Sequence, residues 1–418
     1  MNSFWNLLPV FHFHSAMPSA PPVAGSLLAP VGIAGDAVHA ATASVAVANT
    51  SIGREVEFWF DDRAGLLVLH TSNLETPDPY DGRLIQFLPE VICSHGNLVL
   101  LRIRSTHSNF PTDYFVYSFP SVRPRGADRP LAVRLPDIVP EISSARSVGI
   151  LCAKDVSYVV ANLRLELNTK EAFLDCFCSS SKNTTRKWSR TLVKLPFPKG
   201  KEKEYMCGWH TDLVIPFKGC MLWVDLCRGF LRCSSLLSGS GAEDTRFDYV
   251  PLPQRLQAAD ENNHLKKRPH PYRSISCSSN GELMLVDLRK ITGHNTTQVA
   301  IWTLRALDGR YWNKNKKIPY TLSYGNLWPE NFKLTHGLEP LWCQKGNHMP
   351  CFPVLMKTEQ RYILYLTVPG DGKAWLLRFD LQTRALSRII DYPGFYGHEK
   401  APYPSYDLAK YLQQFVTV

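Results

Sequence analysis

One phrase recurs four times along the chain and limits what it can fold into. It begins at Gly96 (G-N-L-V-L-L-R-I), Gly219 (G-C-M-L-W-V-D-L), Gly281 (G-E-L-M-L-V-D-L) and Gly372 (G-K-A-W-L-L-R-F). Each copy is a turn glycine followed by a run of apolar, aromatic and β-branched residues, with Asp or Arg at its seventh position. Glycine takes the positive φ that a tight hairpin turn needs. The run behind it has the length and composition of a buried strand. Recurrence of the unit predicts an all-β, propeller-like array of antiparallel hairpins. The copies are spaced 123, 62 and 91 residues apart, so the repeat is degenerate.

The texture between the copies agrees. Short apolar runs, V-E-F-W-F (56–60), A-G-L-L-V-L-H (64–70), Y-F-V-Y-S-F (114–119), S-V-G-I-L-C-A (147–153), S-Y-V-V-A-N-L-R-L (157–165) and A-F-L-D-C-F-C-S (172–179), are separated by polar or Pro/Gly clusters. From Asp212 to Ser234 three strands follow one another, with turns expected at Lys218-Gly219 and Arg228-Gly229. That spacing leaves no room for crossover helices. Further strands are expected at 273–278, 298–304, 353–357, 362–368 and 374–379, with turns at Asn280-Gly281, Asp308-Gly309 and Asp371-Gly372. Only Pro404 to Phe415 has a helical pattern. Pro (30) outnumbers Gly (25), which also argues against long helices. The stretch Ser15–Thr50 is mostly Ala, Val, Pro, Gly and Ser without a period, and residues 1–50 read as a disordered leader; 51–418 reads as a single domain.

Charge and cysteines narrow the setting. The formal net charge is +10, concentrated in segments expected to be loops. Lys182, Arg186, Lys187, Arg190, Lys194, Lys199, Lys201 and Lys203 form one group; Lys266, Lys267 and Arg268 form another; Arg310, Lys314, Lys316 and Lys317 form a third. Solvated loop tips explain most of this, and nucleic-acid binding is the weaker reading because no recognition motif accompanies the charge. No apolar stretch reaches the roughly 18 residues of a membrane span, and no basic residue precedes the apolar N-terminus as in a secretory signal. The expected setting is cytoplasmic or nuclear, with the eleven scattered cysteines as free thiols.

The block Trp209–Leu237, W-H-T-D-L-V-I-P-F-K-G-C-M-L-W-V-D-L-C-R-G-F-L-R-C-S-S-L-L, followed by F-D-Y-V-P-L-P at 247–253, carries a resemblance. It is similar to the plant, grass-expanded domain-of-unknown-function 1618 family, whose W-V-D-L-x-R-G-I/F-L phrase is followed by F/Y-V-P-L-P. Trp223, Val224, Asp225, Leu226, Arg228, Gly229, Tyr249, Val250, Pro251, Leu252 and Pro253 match it. The resemblance places the named domain at about 220–365 and implies a likeness to the β-propeller-like regions that follow F-boxes in substrate adaptors. Residues 1–50 show no F-box. The resemblance implies no general biochemical activity.

Candidate chemistry is sparse. Asp225 and Asp287 end aligned V-D-L phrases; each is expected to cap its turn or pair with Arg228 or Arg289 rather than face a ligand. Trp223 and Trp302 read as core. Trp312, Trp328 and Trp342 fall in polar or Pro-rich stretches and are the candidate interaction surface. Cys343, His348 and Cys351, with His336 nearby, form C-x4-H-x2-C, which lacks the full spacing of a zinc site, so no metal is assigned. Motifs of serine hydrolases, zincins, P-loops and dinucleotide folds are missing. The sequence thus points to a non-catalytic module that recognises a protein partner, with no cofactor. The alternative is a hydrolase with its site at the mouth of a central channel.

Overall fold

The computed structural model describes residues 46–51, 53, 55–62, 67–71, 75–77, 84–96, 98–105, 111–118, 131–137, 145–153, 157–166, 169, 171–179, 187–237, 245–254, 256, 272–278, 281–291, 296–304, 312–314, 320–323, 351–357, 361–369, 374–383 and 385–392. These residues form six antiparallel sheets, met in chain order. The first holds β1 (Ala46–Asn49), β2 (Glu55–Asp62) and β3 (Leu67–Thr71). The second holds β4 (Glu75–Pro77), β5 (Leu84–His95), β6 (Leu98–Ser105), β7 (Asp113–Ser118) and β8 (Leu131–Arg134). The third holds β9 (Val148–Cys152), β10 (Tyr158–Glu166), β11 (Glu171–Cys178) and β12 (Ser189–Val193). A short helix α1 (Glu202–Gly208) precedes the fourth, made of β13 (Leu213–Phe217), β14 (Cys220–Asp225), β15 (Gly229–Cys233) and β16 (Phe247–Pro251).

The fifth sheet holds β17 (Arg273–Cys277), β18 (Leu283–Ile291), β19 (Thr296–Leu304), β20 (Asn313–Lys314) and β21 (Tyr320–Ser323). The sixth holds β22 (Cys351–Lys357), β23 (Tyr362–Pro369), β24 (Ala374–Asp380) and β25 (Ala385–Tyr392). Each strand pairs with its neighbour in sequence, except that β21 returns to β19.

Successive sheets pack face to face. In β14 the residues Met221 and Trp223 join Leu163, Leu174 and Val193 of the third sheet in one core. On the opposite face, Leu222 and Val224 join Ile275, Leu285 and Trp302 of the fifth. The fifth sheet in turn gives Met284, Val286 and Ile301 to a core shared with Leu364, Leu377 and Phe379 of the sixth. Val148, Ile150 and Val160 of the third sheet meet Leu98, Leu100 and Val116 of the second. Phe58 of β2 lies 5.1 Å from Phe115 of β7, linking the first two. Burial on both faces explains why β14 reads as a continuous apolar run rather than an alternating one.

Polar bonds knit the seams between sheets. The first strands of the fifth and sixth sheets lie side by side: Ser274 Oγ donates to Pro353 O, and Ser276 Oγ donates to Leu355 O at 2.6 Å. The third and fourth meet where Trp223 Nε1 donates to Ser147 O at 2.7 Å. There Gly149 is required by space, because a Cβ would stand 2.4 Å from Val214 Cγ1. Between the second and third, the Cys152 amide donates to His95 Nδ1 at 2.8 Å. Burial holds the His95 imidazole below its ordinary pKa of 6.5.

The expected strands are present with ends within a few residues, and Gly96, Gly219 and Gly281 all take positive φ (59°, 73° and 71°). Lys218 joins Gly219 in a two-residue turn at φ 47°, as the sequence predicts. The second turn differs. Asp225 pairs with Gly229, so the loop is Leu226–Arg228 and Gly229 already opens β15. The Asp225 side chain sets this loop by accepting from the Cys227 and Arg228 amides at 2.8 and 3.2 Å. A second difference is α1, which begins at the end of the stretch read as a basic loop. Glu202 and Glu204 suit its first turn, and Tyr205 buries against Phe197. Strand β1 lies within the stretch read as leader, with Ala46 buried and Ala46–Asn49 paired to β2. The C-terminal segment Pro404 to Phe415 lies outside the described residues.

Candidate functional site

The motif block folds into a knot at one end of the fourth sheet. Asp225 is 1% exposed and sits at the end of β14. Besides the two loop amides, its carboxylate accepts from the His210 amide at 3.0 Å and from Arg228 Nη1 at 3.1 Å. Burial pushes this carboxyl up from the usual range, opposed by the Arg228 charge and the surrounding N–H donors. Beside it, Asp212 accepts from the Leu226 amide at 2.8 Å. The Arg228 carbonyl receives the Tyr249 hydroxyl at 2.9 Å and the Leu252 amide at 3.0 Å, which fastens the V-P-L-P segment to the turn. At Gly229 a Cβ would stand 2.3 Å from Val250 O, so no larger residue fits. Pro251 and Pro253 present carbonyls, accepting from Trp312 Nε1 at 2.9 Å and from the Leu256 amide at 2.8 Å.

A ring cluster covers the knot. Phe197, Tyr205, Trp209 and Tyr249 pack with centroids 5.5–6.4 Å apart, and the Arg228 guanidinium lies 5.8 Å from the Tyr205 ring centre. Tilted and edge-on geometry suits aromatic quadrupoles. The Tyr249 hydroxyl is pushed well above its ordinary range by burial, so it acts here as a neutral donor.

The fifth sheet handles its matching acid differently. Asp287 accepts from Arg273 Nε and Arg289 Nε, both at 2.6 Å. Arg273 is only 5% exposed, and its Nη1 reaches across to Leu226 O at 3.1 Å, joining the fifth sheet to the turn of the fourth. Both V-D-L acids therefore sit in structural pairs, Asp225 with Arg228 and Asp287 with Arg289, as the sequence suggests. Arg273 carries no local pattern that reveals its role.

Trp223 is fully buried. Trp312 is half-buried, edge-on to Phe230 at 6.4 Å, with its indole N–H held by Pro251 O; it closes the knot rather than standing free. Trp328, Trp342, Cys343, His348 and His336 lie outside the described residues, as does the Cys351 side chain. Among the described residues no group of three or more His, Cys, Asp or Glu side chains is placed to hold a metal.

A second region stands apart from the knot. The third sheet ends in β12, whose Val193 faces the core while Arg190 and Leu192 face outward. A line of polar side chains leads to it across the sheet. Ser147 Oγ donates to Asn162 Oδ1 at 2.7 Å, Asn162 Nδ2 to Asp175 Oδ2 at 3.2 Å, and Arg190 Nε to Asp175 Oδ1 at 2.6 Å. Lys187, Lys194, Lys199, Lys201 and Lys203 are exposed around it. The sequence shows the charge of this segment but not that a strand edge runs through it.

Among solved structures, the chain is similar to an ulvan lyase, a polysaccharide lyase, at 8% identity over 87% of this chain and 83% of that one, with a TM-score of 0.34. It is similar to a putative glycosidase from Bacteroides thetaiotaomicron at 11% identity, covering 78% of this chain and 93% of that one, with a TM-score of 0.28. A levansucrase mutant from B. megaterium shows 9% identity, 77% and 88% coverage, and a TM-score of 0.30. At these values none of the three bears on the chemistry of this chain. No curated protein matches. The family comparison begins at the motif tryptophan itself: residues 223–365, about a third of the chain, match the model described as a protein of unknown function (DUF1618).

Proposed function

We propose that the protein is a non-catalytic recognition module, a β-propeller-like scaffold that displays outer segments to a protein partner. The observation that carries this reading is the commitment of the motif carboxylates: Asp225 and Asp287 are buried and bound by arginines and backbone amides. A general acid or base needs a proton path to substrate, and these two groups serve turns and sheet seams instead. The six sheets, each a meander packed on the next, support the propeller-like arrangement. Recognition then falls to what the scaffold presents at its rim. The nine cysteines whose side chains are described are free thiols, in accord with a cytoplasmic or nuclear setting; no described helix is long and apolar enough to cross a membrane.

The test is affinity capture from native tissue with mass spectrometry, run beside hydrolysis assays on ester, peptide and glycoside substrates. A saturable protein partner with no turnover is expected. Turnover abolished by substitution of an exposed polar residue would replace this reading with the hydrolase one.

A further inference from the structure

We infer that the free edge of β12 is a docking strand for an acidic, extended peptide. The inference rests on the recognition reading above and specifies its partner. Among the described residues β12 pairs only with β11, so its outer edge offers unpaired backbone N–H and C=O groups. Such an edge accepts a further strand by main-chain hydrogen bonds, with side chains setting the specificity.

The side chains of the edge define the peptide. Arg190, Leu192 and Lys194 alternate onto one face, with Val193 turned into the core between them. Leu192 is 60% exposed, among the most exposed large apolar residues described. It stands in register with Phe173 of β11, which stands in register with Arg164 of β10, and the Arg164 guanidinium lies 5.3 Å from the Phe173 ring centre. Leu192 thus stands at the edge between Lys194 and Arg190, the latter bonded through Nε to Asp175 with its side chain still one-third exposed. Residues 187–204 carry six Lys or Arg against two Glu. Cross-strand partners prefer opposite charge and matched apolar surface. The complementary peptide is therefore acidic–x–apolar–x–acidic, a pattern that reads the same in either strand direction.

The same charge also suits a nucleic acid, but that would call for exposed rings on which bases stack. The two aromatics of this segment are engaged: the Trp188 N–H donates to Pro136 O at 2.8 Å and its ring lies 5.8 Å from Phe177, while Phe197 is buried against Tyr205 and Trp209.

The experiment is a fluorescence-anisotropy titration of the full chain with a labelled peptide centred on Glu-Val-Leu-Val-Glu. A Lys-Val-Leu-Val-Lys peptide and a single-stranded oligonucleotide serve as comparisons. Binding of the acidic peptide alone is expected, weakened at least about tenfold, some 1.4 kcal/mol, by Leu192→Glu and by Lys194→Glu. Both side chains are exposed, and unchanged circular dichroism would confirm that the variants fold. Hydrogen exchange should show new protection at the β12 amides on binding. No binding, binding indifferent to both substitutions, or preference for the oligonucleotide each overturns the inference; the first result means that the cations only guard the edge against aggregation. The two readings separate in one further step. If a partner captured by the wild-type chain is captured equally by Leu192→Glu, the edge assignment fails while the recognition reading stands.

Discussion

The fourth and fifth sheets carry the same V-D-L phrase and bury its acid by different means. In the fourth, Asp225 draws mainly on its own turn, with amides of Cys227 and Arg228 and the Arg228 guanidinium all within three residues. In the fifth, Asp287 relies on two guanidinium groups, and one of these, Arg273, comes from a neighbouring strand and also binds the turn of the fourth sheet. The first arrangement is local and redundant; the second is long-range and concentrated in one buried cation. Charge burial is tolerated only when it is paired. The two acids should therefore respond very differently to loss of their arginine.

The largest effect is expected at Arg273. Arg273→Ala leaves Asp287 buried beside only the half-exposed Arg289 and frees Leu226 O, and should destabilise by about 3–5 kcal/mol in urea unfolding. Adding Asp287→Asn should recover part of that loss, because the uncompensated charge is then gone. A loss under about 1 kcal/mol, as for surface pairs, would erase the contrast between the sheets.

Next comes Trp223, the bulk on which the fourth sheet's turn is built. Trp223→Ala should cost about 3–5 kcal/mol, and Trp223→Phe less, since it keeps most of the packing but loses the bond to Ser147 O. A Trp223→Ala protein with wild-type stability and altered partner binding would instead mark a ligand site.

Arg228→Ala is expected to be milder, about 1–2 kcal/mol, because three backbone amides still serve Asp225. Equal losses at Arg228 and Arg273 would show that locality gives no protection.

The smallest effect contrasts two seams. That of the fifth and sixth sheets uses serine hydroxyls, which do not titrate, whereas that of the second and third uses His95 Nδ1 as an acceptor. The His95 pKa is lowered on folding, so the unfolded chain binds the proton more readily. The stability from this group is full above its ordinary value of 6.5 and is lost as pH falls through the folded value. Urea midpoints measured across that window should fall with acid, and His95→Asn should flatten the dependence.

Much of the strand order was legible in the sequence because it is local. Lys218-Gly219 marks its turn and Gly281 the next, and the runs behind them are too apolar for anything but a two-faced burial. The pairings of Asp225 with Arg228 and Asp287 with Arg289 were legible for the same reason, since each pair lies within three residues. Arg273 was not, because its role depends on a strand register and on a turn 47 residues away. Helix α1 was hidden by charge: Glu202 to Lys203 look like loop, and only the burial of Tyr205 against Phe197 and Tyr249 makes a helix there worthwhile. The β12 edge was hidden too, as S-R-T-L-V between basic residues resembles loop until β11 is placed beside it.

The sharing of each core between adjacent sheets bears on how the chain can be divided. The family match starts at Trp223, inside β14, and ends at Tyr365, inside β23. A fragment cut at those limits would lose β13, to which β14 bonds, and β24, to which β23 bonds. It would also strip Trp223 of the third sheet that covers it. Both ends would then be raw, apolar strand edges of the kind that pair with other chains. The stretch that matches the family model is thus not a unit that can be expressed alone; sound cuts fall between sheets, and even these bare a face that is dry in the whole molecule.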